Sequence, residues 1–125
     1  EVTINFEERV QSIVEILREK KAEGIRALDL REIDGVITDC FIICSGGSER
    51  QVGAISEHLR MRLKESNEQV RNIEGARNNQ WVLMDTGDIV VHIFLDHIRE
   101  FYRLEHLWGH ARVIPLTEST QTSEA

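Results

Sequence analysis

The sequence predicts an α/β fold, a single mixed β-sheet of about five strands packed with helices, and three observations lead there. Two segments carry apolar residues at helical spacing behind capping residues. Around and after them lie runs rich in β-branched residues, one of them continuously apolar. A Thr86-Gly87 bend separates two further runs, the pattern of a β-hairpin. At 125 residues the chain fits one domain, which at that size buries roughly two-thirds of its unfolded surface. The domain is expected over residues 1–115. A disordered polar tail is expected over 116–125, where Ser, Thr, Glu and Gln leave nothing to pack.

The first helix is predicted from about Asn5 to Glu23, with Phe6, Val10, Ile13, Val14 and Leu17 on one stripe. Asn5 can cap it, Glu7 and Glu8 favour the positive end of its dipole, and Gly24 can end it. Strands follow at Ile25–Leu30 and Thr38–Cys44, joined by a charged loop containing Gly35. The second is apolar throughout, as befits a strand covered on both faces. After Ser45-Gly46-Gly47 comes a second helix. Ser48 is its N-cap by its capping-box spacing to Gln51, and Val52, Ile55, Leu59 and Leu63 form its buried stripe. A short strand is expected at Val70–Ile73.

In the hairpin, pairing Asp85 with Asp88 sets Trp81 opposite His92 and Leu83 opposite Val90. One face then carries Trp81, Leu83, Asp85, Asp88, Val90 and His92. The other carries Val82, Met84, Ile89, Val91 and Ile93, a cleaner core set. The mixed face combines an aromatic anchor, aliphatics and acids, the chemistry of a protein-binding hot spot with a charged rim, and is the functional candidate. A last helix capped by Asp96 is expected to break around Arg103 and to end at Gly109.

The net charge of −7 argues against a generic nucleic-acid binder and suits a basic protein partner. Arg60, Arg62 and Lys64 cluster on the second helix and read as a solvated face. No apolar run approaches the ~20 residues of a membrane span. Cys40 and Cys44, four strand steps or roughly 13 Å apart, are too distant for a disulfide. They read as inert core residues of a reduced, intracellular protein.

Catalytic readings fare poorly. The Gly46-Gly47-Ser48 turn before a helix, with Arg50 following, is the place a nucleotidyltransferase would hold a nucleotide. No Asp-x-Asp or Asp-x-Glu pair on a later strand supplies the carboxylates its Mg²⁺ needs. A nucleotide-binding enzyme is therefore the alternative reading. A Walker-type loop lacks its Gly-Lys-Ser/Thr ending. His106 and His110 have chelate spacing, but Gly109 interrupts the helix between them and no third ligand is spaced to join. Neither a metal nor a cofactor is expected.

Several separated motifs nevertheless agree in order. They are Ile37-Thr-Asp-Cys-Phe-Ile-Ile-Cys-Ser-Gly-Gly-Ser48 with Arg50-Gln51-Val52, then Glu74-Gly75 and Trp81-Val-Leu-Met-Asp85. Gly87-Asp88-Ile-Val-Val-His-Ile-Phe94 and Arg99-Glu-Phe-Tyr-Arg-Leu-Glu-His-Leu-Trp108 complete the series. From about Phe6 to Trp108 the chain resembles the ribosomal silencing factor (RsfS, Iojap-like) family, departing at Gly47, where the family more often has Thr. The resemblance implies a nucleotidyltransferase-like topology without catalytic residues, and a translational repressor that is not an enzyme. It implies binding to ribosomal protein L-fourteen on the large ribosomal subunit, steric blocking of small-subunit joining, and a part in large-subunit biogenesis. It places the protein in the bacterial cytoplasm, or in an organelle for a eukaryotic relative. On that footing the expected partner-binding residues are Trp81, Leu83, Asp85, Asp88 and His92, with Glu105 as a further acid and Trp108 as a second aromatic. An exposed apolar hairpin face also admits a homodimer.

Overall fold

The structure, a computed structural model, describes residues 5–117. Helix α1 spans Phe6–Glu19 and α2 spans Glu49–Glu65. Strands β1 (Glu23–Asp29), β2 (Cys40–Gly46), β3 (Asn72–Glu74), β4 (Trp81–Asp85), β5 (Ile89–Leu95) and β6 (Arg112–Val113) form one sheet. Its order is β3-β4-β5-β2-β1-β6, with β2 and β5 parallel and the other pairs antiparallel. Short helices α3 (Asp96–Tyr102) and α4 (Leu104–Leu107) follow β5. The mixed α/β sheet expected from sequence is present, with β6 as an additional two-residue edge strand too short to leave a periodic signal.

Asn5 caps α1 through a complete capping box, accepting from the Glu8 N–H at 2.8 Å while the Glu8 carboxylate accepts from the Asn5 N–H. Val10, Val14 and Leu17 are fully buried. The helix ends at Glu19, earlier than expected, because Lys21 turns left-handed (φ 63°) and the chain enters β1 at Glu23. Gly24, expected as a helix stop, lies inside β1 where the register with β2 slips. Helix α2 is capped by Ser48 Oγ, which accepts from the Gln51 N–H at 3.1 Å. Asp96 does not cap α3; it is the helix's first residue and Leu95 stands at the N-cap without a side-chain bond.

Helices α1 and α2 cover one sheet face. There Ile42, Cys40, Cys44, Val82, Met84, Ile89, Val91 and Ile93 pack with Val10, Ile55 and Leu59 in the larger core. Each large aliphatic side chain buried this way contributes about 1.5–3 kcal/mol. Both cysteines are free, and burial pushes their thiols up to about 12, which keeps them protonated and inert. Arg9 on α1 ties this layer together, pairing with Glu68 after α2 at 2.8 Å and with Asp88 in the β4–β5 bend.

A smaller core lies on the opposite face. Leu28, Ile43, Phe94 and Leu104 are buried there, with Phe41, Trp81 and Trp108 packed partly against them. Arg103 is left-handed (φ 52°) and breaks the last helix in two, where a break was expected. Leu116 packs against the larger core and Thr117 bonds Gln11, so the first two residues of the expected tail are attached; residues 118–125 of it lie outside the described residues.

Candidate partner-binding face

The face opposite α1 and α2 is only partly covered by α3 and α4, and its β4 end is open. Strand alternation sets Trp81, Leu83 and Asp85 of β4 beside Phe94, His92 and Val90 of β5 on this side. The register is Trp81↔Phe94, Leu83↔His92 and Asp85↔Val90, which corrects the expected pairing of Trp81 with His92, Leu83 with Val90 and Asp85 with Asp88. The cause is the bend. The Thr86 N–H and Oγ1 both donate to the Ile89 carbonyl, at 2.9 and 2.8 Å, so Thr86 and Ile89 close the hairpin and Gly87-Asp88 turn it. Moving the bend by one residue shifts every pair by two and leaves the paired strand residues on their expected faces, while Asp88 passes from the ladder into the bend.

Trp81 is half-buried and held on three sides. Its ring stacks on Phe94 at 4.8 Å and meets Tyr102 of α3 at 5.0 Å. Its Nε1–H donates to His92 Nδ1 at 3.1 Å. That bond makes Nδ1 the acceptor, so neutral His92 carries its proton on Nε2. His92 is 3% exposed, and burial pulls its pKa down to about 4. Its Nε2 has no hydrogen-bond partner, and the ring packs edge-on to Phe41 at 4.6 Å. Phe41 in turn meets Trp108 edge-on at 5.6 Å. Tyr102, Phe101 and Leu107 stand exposed beside this cluster.

The structure thus gathers Trp81, Leu83 and His92, with Asp85 at the rim. Asp85 Oδ1 accepts from the Gly87 N–H at 2.8 Å, which fixes the bend and leaves its other oxygen uncommitted among the described residues. Asp88 is not on this face. Its carboxylate turns to Arg9 and its carbonyl accepts from the Asp39 and Cys40 N–H groups, so it binds the bend to α1 and β2. Glu105 pairs with Arg99 at 2.8 Å, and Arg99 also donates to the Gly24 carbonyl and Ser45 Oγ, clamping α3 to β1 and β2. Burial pushes the Glu105 carboxyl up, but the hydrogen bond and charge of Arg99 outweigh it and hold it below its ordinary value. Trp108 is part of the smaller core with one side accessible. Phe94, Phe41 and Tyr102 escaped the sequence reading as site residues. Phe94 was findable, since it shares the parity of Trp81, whereas Phe41 and Tyr102 arrive from other elements.

The Gly46-Gly47-Ser48 turn has part of its donor capacity already engaged within the fold. The Gly47 N–H donates to Gln51 Oε1 at 2.8 Å, and Gln51 Nε2 donates to the Lys21 carbonyl. The Asp96 carboxylate lies beside Gly47 and adds like charge against a phosphate. Among the described residues no three His, Cys, Asp or Glu side chains converge as metal ligands, and no helix is long and apolar enough to cross a membrane.

Known proteins resemble this chain along most of its length. A ribosomal silencing factor RsfS of Halalkalibacterium halodurans is 41% identical over 110 residues, covering 88% of this chain and 93% of that protein. One from Bacillus subtilis is 43% identical over 98 residues, 78% of this chain and 82% of its own length. A mouse protein named for mitochondrial assembly of the ribosomal large subunit is 32% identical over 102 residues, 79% of this chain and 44% of that protein. A crystal structure of a Bacillus halodurans protein superposes with a TM-score of 0.78 at 38% identity, covering 88% of this chain and 99% of that one. The family model described as "Ribosomal silencing factor during starvation" matches residues 3–125, and the chain belongs to that family.

Proposed function

We propose that this protein is a translational repressor that binds the large ribosomal subunit through ribosomal protein L-fourteen. Occupying that surface, it blocks joining of the small subunit by bulk alone, and it also assists large-subunit assembly. The observation that carries the reading is the half-buried Trp81, backed by Phe94 and bonded inward to His92, on a sheet face that no helix of the described residues closes. Such a rigid aromatic anchor beside Leu83, rimmed by Asp85, suits a basic protein surface. The names of the relatives support silencing and large-subunit assembly. No chemical step is needed, and the cysteines are too deeply buried to supply a thiolate. Sucrose-gradient co-sedimentation with separated subunits tests the proposal. The protein is expected to travel with the large subunit and to deplete joined ribosomes. Travel with the small subunit, or undiminished joining, overturns it.

A further inference from the structure

The acidic surface of this chain is interrupted by a basic groove between the end of α2 and the edge strand β3. Its volume is about 770 Å³, and Arg60, Lys64 and Arg71 line it together with the amides of Asn67, Gln69 and Asn72. The helix sorts its cations by spacing. Arg60 and Lys64, four residues apart, turn to the groove, while Arg62 between them turns to Glu19 on α1 and is neutralised. Arg60 shares its charge with Glu57, but Lys64 and Arg71 have no ion pair among the described residues. Among the described residues the single carboxylate lining the groove, Glu68, is already bound by Arg9.

We infer that this groove takes the phosphate backbone of large-subunit RNA, as a second contact beside the protein-binding face; the inference rests on the function proposed above. The lining chemistry selects the occupant. Cations and amide donors match phosphate and ribose oxygens. Among the described residues no aromatic side chain lines the groove, so it offers no platform for stacking bases, and recognition is independent of sequence. Position agrees as well. Strand β3 pairs Glu74 with Leu83 and Asn72 with Asp85, so the groove lies one strand away from the open face, round the sheet edge. A protein docked by Trp81 and Leu83 presents this edge sideways, to whatever flanks its protein partner. An acidic peptide is the other occupant such a groove fits, but the ribosomal partner proposed here is basic.

The test compares the full chain with the double variant Lys64→Glu/Arg71→Glu. Both side chains are exposed, and thermal melting verifies that the variant folds. Three probes are used: intact large subunits, isolated ribosomal protein L-fourteen, and deproteinised large-subunit RNA at low salt. The variant is expected to bind large subunits at least tenfold more weakly. Its log-affinity against log-salt slope should be shallower by about one to two, the count of lost phosphate contacts. Its affinity for the isolated protein should be unchanged, and its low-salt RNA binding reduced. Equal binding of both chains to subunits and RNA overturns the inference. An equal loss against the isolated protein also overturns it, by assigning the groove to a protein contact. Should neither chain bind subunits or the isolated protein, the proposed function fails, while the RNA arm still decides the groove.

Discussion

The indole of Trp81 donates its only polar hydrogen inward, to His92 Nδ1, so the surface it turns outward is apolar and already desolvation-ready. Phe94 and Tyr102 fix its orientation, which lowers the entropy lost on binding. Trp81→Ala is therefore expected to weaken binding by about 2 kcal/mol or more, roughly thirtyfold, in titration against the isolated ribosomal protein. Unchanged affinity would remove Trp81 from the interface. His92 makes a separate prediction about stability. Its folded pKa, about 4, lies below the unfolded value near 6.5, so the unfolded chain binds the extra proton first. Stability should be intact above pH 6.5 and fall as pH drops toward 4, by about 2 kcal/mol between pH 7 and pH 5. Urea denaturation at the two pH values measures this. His92→Phe should remove that part of the dependence, because the phenyl ring has no nitrogen to protonate, while leaving the Trp81 Nε1–H without its acceptor.

Among the elements, the β4–β5 hairpin decides the face, and the loop before β4 decides where Trp81 stands. Gly75 in that loop has φ +86°, and a Cβ there would sit 1.9 Å from the Trp81 carbonyl oxygen. The contact is backbone to backbone, so no rotamer relieves it. Gly75→Ala is expected to cost about 2–4 kcal/mol by urea denaturation and to alter Trp81 fluorescence. A loss within about 0.5 kcal/mol would show that this loop does not position the tryptophan. The α3–α4 pair acts differently. Its left-handed break at Arg103 drops Leu104 into the smaller core, and the Arg99–Glu105 pair holds the two short helices on β1 and β2. The pair covers the middle of the sheet and leaves the β4 end open.

At the scale of the whole molecule, one sheet face is closed by long helices and the other, only partly covered, is the one proposed to take the partner. On the function proposed above, the net charge of −7 steers the chain toward a basic surface before contact is made. Asp85, at the rim of the face with one oxygen bound to the hairpin bend, would carry part of that field to the proposed docking site. Asp85→Lys is expected to slow association with the large subunit and to flatten its salt dependence, with a smaller effect on dissociation. Stopped-flow measurements across ionic strengths read both rates; an unaltered association rate would place Asp85 outside the encounter surface.

Much of this was legible in the chain itself. Helical spacing and caps gave α1 and α2, the apolar run gave a doubly covered β2, and period-two alternation put Trp81 and Leu83 opposite the core set. These are local signals, set by the geometry of one element. The motifs from Ile37 to Trp108 carried the family resemblance, with ribosome binding implied by it. What only the tertiary structure decided are the relations between elements. The Thr86–Ile89 closure moved the register by two, which brought Phe94 rather than His92 directly across from Trp81. Arg9 drew Asp88 away from the face, and Arg99 engaged Glu105 within the fold. Phe41 and Tyr102 reached the aromatic cluster from distant segments. Charge pairs and ring contacts between remote residues have no sequence period to betray them, so Asp88 reads the same in the sequence whether it faces a partner or Arg9.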